Sequence, residues 1–288
     1  MVPRRLRLDA ELVRRELARS REHASELIGA GRVRVAGAVA TKPATGVTTD
    51  VAIVVADDPD RPDFVSRGGH KLAGALAAFH PLGLTVAKRR CLDAGASTGG
   101  FTEVLLREGA AEVVAVDVGY GQLAWSLRSD ARVHVYDRTN VKDLTAELIG
   151  GPVDVVVGDL SFISLRLVLD ALIGVTAPGA DLALMVKPQF EVGKGRVGRG
   201  GVVREPPLRA EAVRSVAEAA DERGWGAVAV ATSPLPGPAG NVEYFLWLRA
   251  GARTVTDADI DAEVASTEVS GAEVSGGDAP GGGEKLSS

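Results

Sequence analysis

The sequence predicts an α/β protein whose main domain has a seven-stranded, mostly parallel sheet with helices on both faces. Between residues 91 and 187, short apolar runs of strand length alternate with segments of helical periodicity. This βαβα order is typical of a parallel sheet covered by helices. The first part of the chain follows a different order, helix, helix and hairpin, which predicts a small α+β domain in front of the main one.

The small domain is predicted from apolar residues at helical spacing between residues 7 and 30. Their spacing indicates two helices, with Ser20 at the N-cap position of the second. Gly31 ends that helix, and the alternation over residues 32–35 indicates the first strand of a hairpin.

The main domain follows a stretch rich in Pro and Asp. Its predicted helices cover 71–79, 102–108, 122–129, 144–149, 165–175 and 206–223, and its predicted strands cover 91–93, 112–117, 133–136, 153–159, 181–187, 228–231 and 242–248. The final residues lack sustained periodicity, which is typical of disorder. The predicted segments are a small domain (1–56), a linker (57–65), the main domain (66–250) and a disordered acidic tail (251–288).

The net charge of −5 conceals an uneven distribution along the chain. Residues 251–288 hold two basic and eight acidic side chains, whereas residues 1–50 hold ten basic and six acidic ones. The basic end is therefore the part that a polyanion would meet.

Other compositional features exclude several classes of protein. No segment has the apolar length of a membrane span, and residues 1–12 lack the apolar centre of a signal peptide. The single cysteine, Cys91, excludes an intramolecular disulfide and fits a reducing compartment. We therefore expect a cytoplasmic protein, with no metal site.

A nucleotide-like cofactor site is predicted where the first main-domain strand meets a helix. The strand ends in Asp93, and Gly95 and the pair Gly99-Gly100 follow it. Glycines permit positive φ and let a ligand approach the amides at a helix N-terminus. The spacing D-x-G-x-x-x-G-G differs from the dinucleotide pattern G-x-G-x-x-G and resembles the first motif of S-adenosylmethionine-dependent methyltransferases. The alternative is a structural turn capped by an Asp; Asp117 at the end of the next strand, placed to meet ribose hydroxyls, favours the cofactor site.

The run from Leu17 to Gly37 matches L-x-x-S-R-x-x-A-x-x-L-I-x-x-G-x-V-x-V-x-G. It resembles the RNA-binding module named after ribosomal small-subunit protein S-four. Ala36 departs from that module, which usually has Asn there. A solvated basic helix pair is the alternative interpretation. The resemblance implies that five basic residues face RNA phosphates: Arg4, Arg19, Arg21, Arg32 and Lys42.

Two charged residues of the main domain stand in unfavourable positions. Lys71 lies in the first turn of a predicted helix, where a cation opposes the helix dipole. Glu243 interrupts an apolar strand, and a buried carboxylate there requires a cationic partner. A glycine-rich basic loop, 192–204, follows Lys187 and suits contact with phosphates.

Several longer motifs together resemble the TlyA family of ribosomal-RNA 2'-O-methyltransferases, whose catalytic domain is similar to the FtsJ ribose methyltransferases. The motifs are GHKLAGAL, LDAGASTGGFT, DVGYGQLAWSLR, GDLSFISL, VKPQFEVGKGRVGRGGVVREP and GNVEYFLWL. The resemblance implies a Rossmann-like class I fold, S-adenosylmethionine (SAM) as cofactor, and ribosomal RNA within ribosomal subunits as substrate, with a cytidine as the methylated nucleotide. We further expect a monomer that needs no obligate protein partner.

The same resemblance implies the residues of the site. The catalytic tetrad would be Lys71, Asp159, Lys187 and Glu243. The cofactor would contact Asp93, Gly95, Ser97, Gly99, Gly100, Phe101, Asp117, Asn140 and Asp159. Further RNA contacts would come from Arg67, Lys194, Arg196 and Arg199.

A ribose 2'-hydroxyl is a poor nucleophile, so its oxygen must be held in line with the methyl group and must lose its proton. Lys187 could act as the base if its ammonium form were destabilised, or as an electrostatic stabiliser of the alkoxide if the neighbouring carboxylates kept it charged. The sequence leaves both roles open.

Competing functions are judged by other residues. A pyrimidine carbon-5 methyltransferase needs a nucleophilic cysteine, whereas Cys91 is expected to face the core. Methylation of an amino group usually requires Asp/Asn-Pro-Pro-aromatic, but residues 159–162 read Asp-Leu-Ser-Phe. An inactive RNA-binding assembly factor is a further alternative. A membrane-active haemolysin, a label the family has carried, lacks support because no suitable apolar or amphipathic helix is present.

Overall fold

A computed structural model describes residues 5–15, 17, 18, 20–56, 63–252 and 255–275. Within these ranges the side chains of residues 194 and 268–275 are not described. The chain divides into two compact units, Met1–Val65 and Ser66–Ser288.

The first unit builds a small core between two helices and short antiparallel strands. Leu8, Leu12 and Ile28 are among its buried residues. Ser20 Oγ accepts a hydrogen bond of 3.1 Å from the amide of His23, so the predicted N-cap is confirmed. The elements of this unit are β1 (Leu6–Arg7), α1 (Leu8–Arg14), α2 (Arg21–Gly29), β2 (Val33–Val35), β3 (Ala38–Val39), β4 (Gly46–Val47) and β5 (Ile53–Val55).

The second unit is a seven-stranded sheet with helices, as the sequence predicts. Its helices are α3 (Gly68–Phe79), α4 (Gly100–Arg107), α5 (Trp125–Arg128), α6 (Leu169–Gly174), α7 (Pro188–Glu191), α8 (Pro206–Asp221) and α9 (Asp257–Ser275). Its strands are β6 (Arg90–Ala94), β7 (Glu112–Val116), β8 (Val133–Tyr136), β9 (Val153–Gly158), β10 (Thr176–Val186), β11 (Trp225–Thr232) and β12 (Tyr244–Ala250).

The strand order is β11-β12-β10-β9-β6-β7-β8. The pairs β10-β9, β9-β6, β6-β7 and β7-β8 are parallel, and β12 runs antiparallel to both of its neighbours. The order reverses at β6 and β9, which places a crevice at their carboxyl ends, where ligands of open α/β sheets bind. Because β12 is reversed, its first residues reach the same edge as the last residues of β9 and β10.

The predicted helix over residues 144–149 is wrong. Residues 146–150 form turns, in which Thr145 Oγ1 accepts from the amide of Leu148 at 3.2 Å. Gly150 and Gly151, with φ of 80° and 130°, then turn the chain away. The two glycines in positive φ stop these turns from continuing as a helix. The helix predicted over 165–175 is a 3-10 turn, Leu165–Leu167, followed by α6.

The prediction of disorder from residue 251 onward is wrong for residues 257–275, which form α9. A reciprocal cap starts this helix: Asp259 Oδ2 accepts from the amide of Thr256 at 2.8 Å, and Thr256 Oγ1 accepts from the amide of Asp259 at 3.3 Å. Ile260 and Val264, four positions apart on one face, are buried in the core of the second unit. Residues 276–288 of the predicted tail lie outside the described residues.

Two other expectations concern the predicted linker and membrane-spanning helices. Residues 57–62 of the predicted linker are not described, whereas Asp63 pairs with His23 Nε2 at 3.0 Å and with Arg32 at 3.7 Å. Among the described helices, none combines the length and the apolar character that crossing a membrane requires.

Candidate active site

A cavity of about 500 Å³ opens beyond the carboxyl ends of β6, β7 and β9. Five of the predicted cofactor residues line it: Gly95, Ser97, Asp117, Asn140 and Asp159. Since these residues follow four different strands, β6, β7, β8 and β9, the parallel sheet is what brings them together. The cavity is large enough for a nucleoside-sized ligand.

Asp117 organises the wall of this cavity. One carboxylate oxygen accepts from the amide of Ser97 at 2.8 Å, and the other accepts from the amide of Gly119 at 2.6 Å. The side chain therefore joins the loop after β6 to the loop after β7. Because each carboxylate oxygen can accept a further hydrogen bond, Asp117 still has capacity for ribose hydroxyls.

Two glycines after β6 allow neighbouring elements to pack closely beside the cavity. Gly95 has φ of 85°, and a Cβ there would lie 2.8 Å from the carbonyl oxygen of Asp159. Gly99, with φ of 101°, is the N-cap of α4, and a Cβ there would overlap Leu127. Any larger residue at either position would displace a neighbouring element.

The structure does not place four predicted cofactor residues among those that line the cavity: Asp93, Gly99, Gly100 and Phe101. Gly100 is buried where the N-termini of α3 and α4 meet, and a Cβ there would lie 2.7 Å from the amide nitrogen of Gly69. Phe101 packs on Phe245, with ring centroids 5.9 Å apart. These residues therefore pack on the side of the glycine loop that faces away from the cavity.

Asp93 is fully buried beneath the glycine loop. Its Oδ2 accepts from Thr102 Oγ1 at 2.7 Å, and its Oδ1 has no hydrogen-bond partner in the described structure. Burial raises the pKa of this carboxyl to about 7, and the hydrogen bond from Thr102 opposes that rise. Asp93 is thus placed to titrate near neutral pH immediately under the loop.

The four predicted catalytic residues form two ion pairs. Lys187 Nζ lies 2.6 Å from Asp159 Oδ1, and Lys71 Nζ donates to Glu243 Oε2 at 2.5 Å. Both lysines and Glu243 are buried, whereas Asp159 is partly exposed at the cavity wall. Each lysine therefore has its positive charge balanced by one carboxylate.

The sheet register places the two pairs at one edge. Val186 pairs with Tyr244 across the antiparallel β10-β12 ladder. Lys187 and Glu243 are therefore the next residues on their strands at that edge. Pairing also explains the unfavourable positions noted in the sequence, because Glu243 is the partner that Lys71 meets at the start of α3.

The structure adds contacts that the sequence did not indicate. Ser161 Oγ accepts from Lys187 Nζ at 2.9 Å, and Glu191 accepts from the amide of Leu165 at 2.7 Å. Asn241 Oδ1 accepts from the amide of Val203 at 2.9 Å and thereby fixes one end of the basic loop. Each of these polar residues lies in a motif that also holds Asp159, Lys187 or Glu243, which was the available signal, but its bonding partner could not be predicted.

The predicted RNA contacts fall into described and undescribed groups. Arg4, Arg19 and the side chain of Lys194 lie outside the described residues. In the first unit, Arg21 and Lys42 are exposed, and Arg21 is bonded to the buried Asp9 at 2.9 Å. Arg32 is half-buried and donates to the carbonyl of Ala56. In the second unit the described predicted residues are exposed: Arg67, Arg196 and Arg199.

Burial also bears on the alternative chemistry at the lone cysteine. Cys91 is buried in β6, and burial raises the pKa of its thiol to about 12. A thiol in that state is a poor nucleophile at neutral pH. The expectation that Cys91 faces the core is confirmed.

Comparisons with known proteins agree with this architecture. Residues 64–250 match the FtsJ-like methyltransferase family, and residues 6–53 match the S4 domain. The chain is 64% identical over 260 residues to the 16S/23S rRNA (cytidine-2'-O)-methyltransferase TlyA of Mycobacterium tuberculosis, covering 90% of this chain and 94% of that protein.

Two further relatives carry a different label. Hemolysin A of Brachyspira hyodysenteriae is 35% identical, over 83% of this chain and 98% of its own length. A solved structure of a hemolysin-named protein of Streptococcus thermophilus superposes with a TM-score of 0.71 at 33% identity, over 94% of this chain and 98% of that one. With its S4 domain followed by a methyltransferase domain, the chain belongs to the TlyA family of FtsJ-like methyltransferases.

Proposed function

We propose that the protein transfers a methyl group from SAM to the 2'-hydroxyl of a cytidine in ribosomal RNA. The observation that carries the proposal is the placement of two lysine–carboxylate pairs at the sheet edge that also holds the cavity. The similarity to a TlyA enzyme named for this reaction supports the choice of acceptor.

The cavity residues fit SAM. Asp117 suits the ribose hydroxyls, and Gly95 contributes main-chain atoms without a side chain to the cavity lining. Ser97 and Asn140 add polar groups to the lining. When bound, SAM supplies an electrophilic methyl group.

Lys187 is the residue proposed to act on the acceptor hydroxyl. Its partner Asp159 lies 2.6 Å away and supplies a counter-charge to the lysine. We assign Lys187 the electrostatic role: its ammonium holds the acceptor oxygen and stabilises the negative charge that develops there, while the hydroxyl proton passes to solvent water. Lys71 and Glu243, paired and buried, hold the neighbouring part of this edge in place.

The test compares Lys187→Ala with Lys88→Ala, an exposed lysine before β6 at the opposite end of the strand. Methyl transfer from labelled SAM to purified ribosomal subunits would be measured, and the modified nucleotide would be mapped. Lys187→Ala should abolish transfer while SAM affinity stays unchanged, and Lys88→Ala should behave as the wild type. Full transfer by Lys187→Ala would contradict the catalytic assignment, and modification of a base atom would contradict the acceptor.

We further propose that the S4 domain binds the RNA through its exposed cations. Removing a phosphate contact should lower affinity and reduce the slope of log affinity against log salt by about one. Arg21→Ala and Lys42→Ala should both show this change, whereas Arg223→Ala, whose side chain pairs with Asp170, serves as the matched control. An unchanged salt slope in Arg21→Ala and Lys42→Ala would contradict a role for these residues in docking.

A further inference from the structure

The loop after β9 has a conformation that needs outside support. This loop carries Asp159 and Ser161, and Phe162 follows with φ of 66°. Positive φ is sterically unfavourable for a bulky residue such as Phe. Such a conformation persists when surrounding contacts over-determine it.

Side chains from one short segment contact both ends of the loop. Near its start, Ser161 Oγ accepts from Lys187 Nζ at 2.9 Å. Near its end, the carboxylate of Glu191 accepts from Ser164 Oγ at 2.5 Å and from the amide of Leu165 at 2.7 Å. Lys187 is the N-cap residue of α7, and Glu191 is its last residue. The two ends of this four-residue helix therefore bind the two ends of the loop.

Burial makes the second contact a firm one. Glu191 is 6% exposed, and Arg166 Nε also lies 3.3 Å from its Oε2. If the carboxylate were removed, the amide of Leu165 would lose its partner inside the protein, which is costly. The loop would then gain freedom at the end away from Lys187.

The first contact fixes the orientation of the lysine head group. An ammonium carries three N–H bonds that rotate together about the terminal carbon–nitrogen bond, so one hydrogen bond limits the directions of all three. The hydrogen bond to Ser161 supplies this limit, and Asp159 lies 2.6 Å from Nζ as a counter-charge. The other N–H bonds then have defined directions and are left for a group outside the loop.

We propose that Ser161 and Glu191 are positioning residues for Lys187: together they hold the loop 159–165 against α7 so that one N–H of the lysine has a fixed direction toward the acceptor oxygen. This inference rests on the proposed function of Lys187. Neither residue touches the reacting atoms in this scheme. Both act through the lysine and through Asp159.

The test uses the full-length protein with SAM and purified ribosomal subunits. Ser161→Ala should lower kcat roughly ten- to a hundredfold, because a small misplacement of a catalytic group has effects of this size. KM for the RNA should stay within about twofold, since the lost interaction is between Ser161 and Lys187. Ser161→Thr, which keeps the hydroxyl, should recover most of kcat. Ser215→Ala is the matched control, because its hydroxyl bonds to the Ala212 carbonyl within α8.

Glu191 provides the second arm. Glu191→Gln keeps an oxygen that can accept from the Leu165 amide, so it should retain most of kcat. Glu191→Ala should lower kcat as Ser161→Ala does. If Glu191→Ala is too unstable to assay, Ser161→Ala and its threonine rescue decide the matter alone.

The outcomes separate this inference from the proposed function. If Ser161→Ala keeps the wild-type kcat while Lys187→Ala is inactive, the positioning role of Ser161 and Glu191 is refuted and the role of Lys187 stands. If Lys187→Ala is fully active, the proposed function itself fails. A fall in kcat that threonine does not rescue, with a matching loss of thermal stability, would identify Ser161 as merely structural and overturn the inference.

Discussion

Lys71 and Glu243, 172 positions apart in the chain, meet in a buried contact of 2.5 Å between Nζ and Oε2. The pair joins the first turn of α3 to the residue before β12. Because both side chains lie almost entirely out of solvent, the interaction is screened little by salt. Its loss therefore has a predictable cost.

We expect Glu243→Ala to lower the free energy of unfolding by about 3–5 kcal/mol, because it leaves an uncompensated buried ammonium. The double variant Lys71→Met/Glu243→Leu should recover most of that loss, since no buried charge remains. Urea unfolding measures both. The exposed pair Arg223–Asp170 offers the control. Asp170→Ala should leave the free energy of unfolding unchanged within the precision of the measurement. If Glu243→Ala were as stable as this control, the burial of the pair would be contradicted.

A second prediction concerns pH. The pKa of Asp93 is raised to about 7 in the folded protein, above its ordinary value of 3.8, because the carboxyl is buried. The stability that protonated Asp93 contributes is fully present below pH 4 and is lost as pH rises to about 7. Asp93→Asn removes this dependence. The free energy of unfolding of Asp93→Asn, relative to that of the wild type, should therefore rise between pH 4 and 7 by up to about 4 kcal/mol.

Urea unfolding at pH 4.5, 6 and 8 measures this gain, with Asp143→Asn as a surface control. A constant difference between Asp93→Asn and the wild type across that range would show that the carboxyl titrates alike in both states.

The third prediction follows from the two hydrogen bonds that Asp117 accepts from backbone amides. Asp117→Ala removes a ribose acceptor and also unties the loops after β6 and β7. SAM affinity should fall at least about tenfold, since each hydrogen bond to a charged group contributes roughly 1.5–3 kcal/mol. Titration calorimetry measures the affinity. Asp143→Asn again provides the control, and unchanged SAM binding by Asp117→Ala would remove this residue from the cofactor site.

A fourth prediction tests the terminal helix. Ile260 is 3% exposed and belongs to the core of the second unit. Ile260→Ala should therefore cost about 2–4 kcal/mol of unfolding free energy. Ala262→Ser, on an exposed position of the same helix, should be close to neutral. If both variants unfold as the wild type does, α9 contributes nothing to the fold.

The sequence predicted those features that follow from regular geometry. Asp117 was located because it ends a predicted strand, whereas the roles of Asp159 and Lys187 came from the family resemblance; all three lie at one edge because parallel strands end there. The partner of Glu243 could be expected from the cost of a buried carboxylate, but its identity as Lys71 required the packing of α3.

The remaining features depend on contacts that periodicity does not encode. Ser161 and Glu191 hold an irregular loop, and nothing in their spacing specifies which backbone groups they meet. The helix α9 was missed because its signal is short: the cap formed by Thr256 and Asp259, and two buried apolar residues in an acidic, Gly- and Ser-containing stretch. Tertiary burial outweighed the composition there.

The reversed direction of β12 has a consequence for biosynthesis. Since Glu243 reaches the edge only when β12 inserts between β10 and β11, Lys71 stays without its carboxylate until nearly the whole methyltransferase domain has left the ribosome. Domains emerge from the amino terminus onward during translation. The S4 domain is therefore complete while Lys71 and Glu243 are still apart, so a nascent chain can finish its first unit well before the proposed catalytic residues come together.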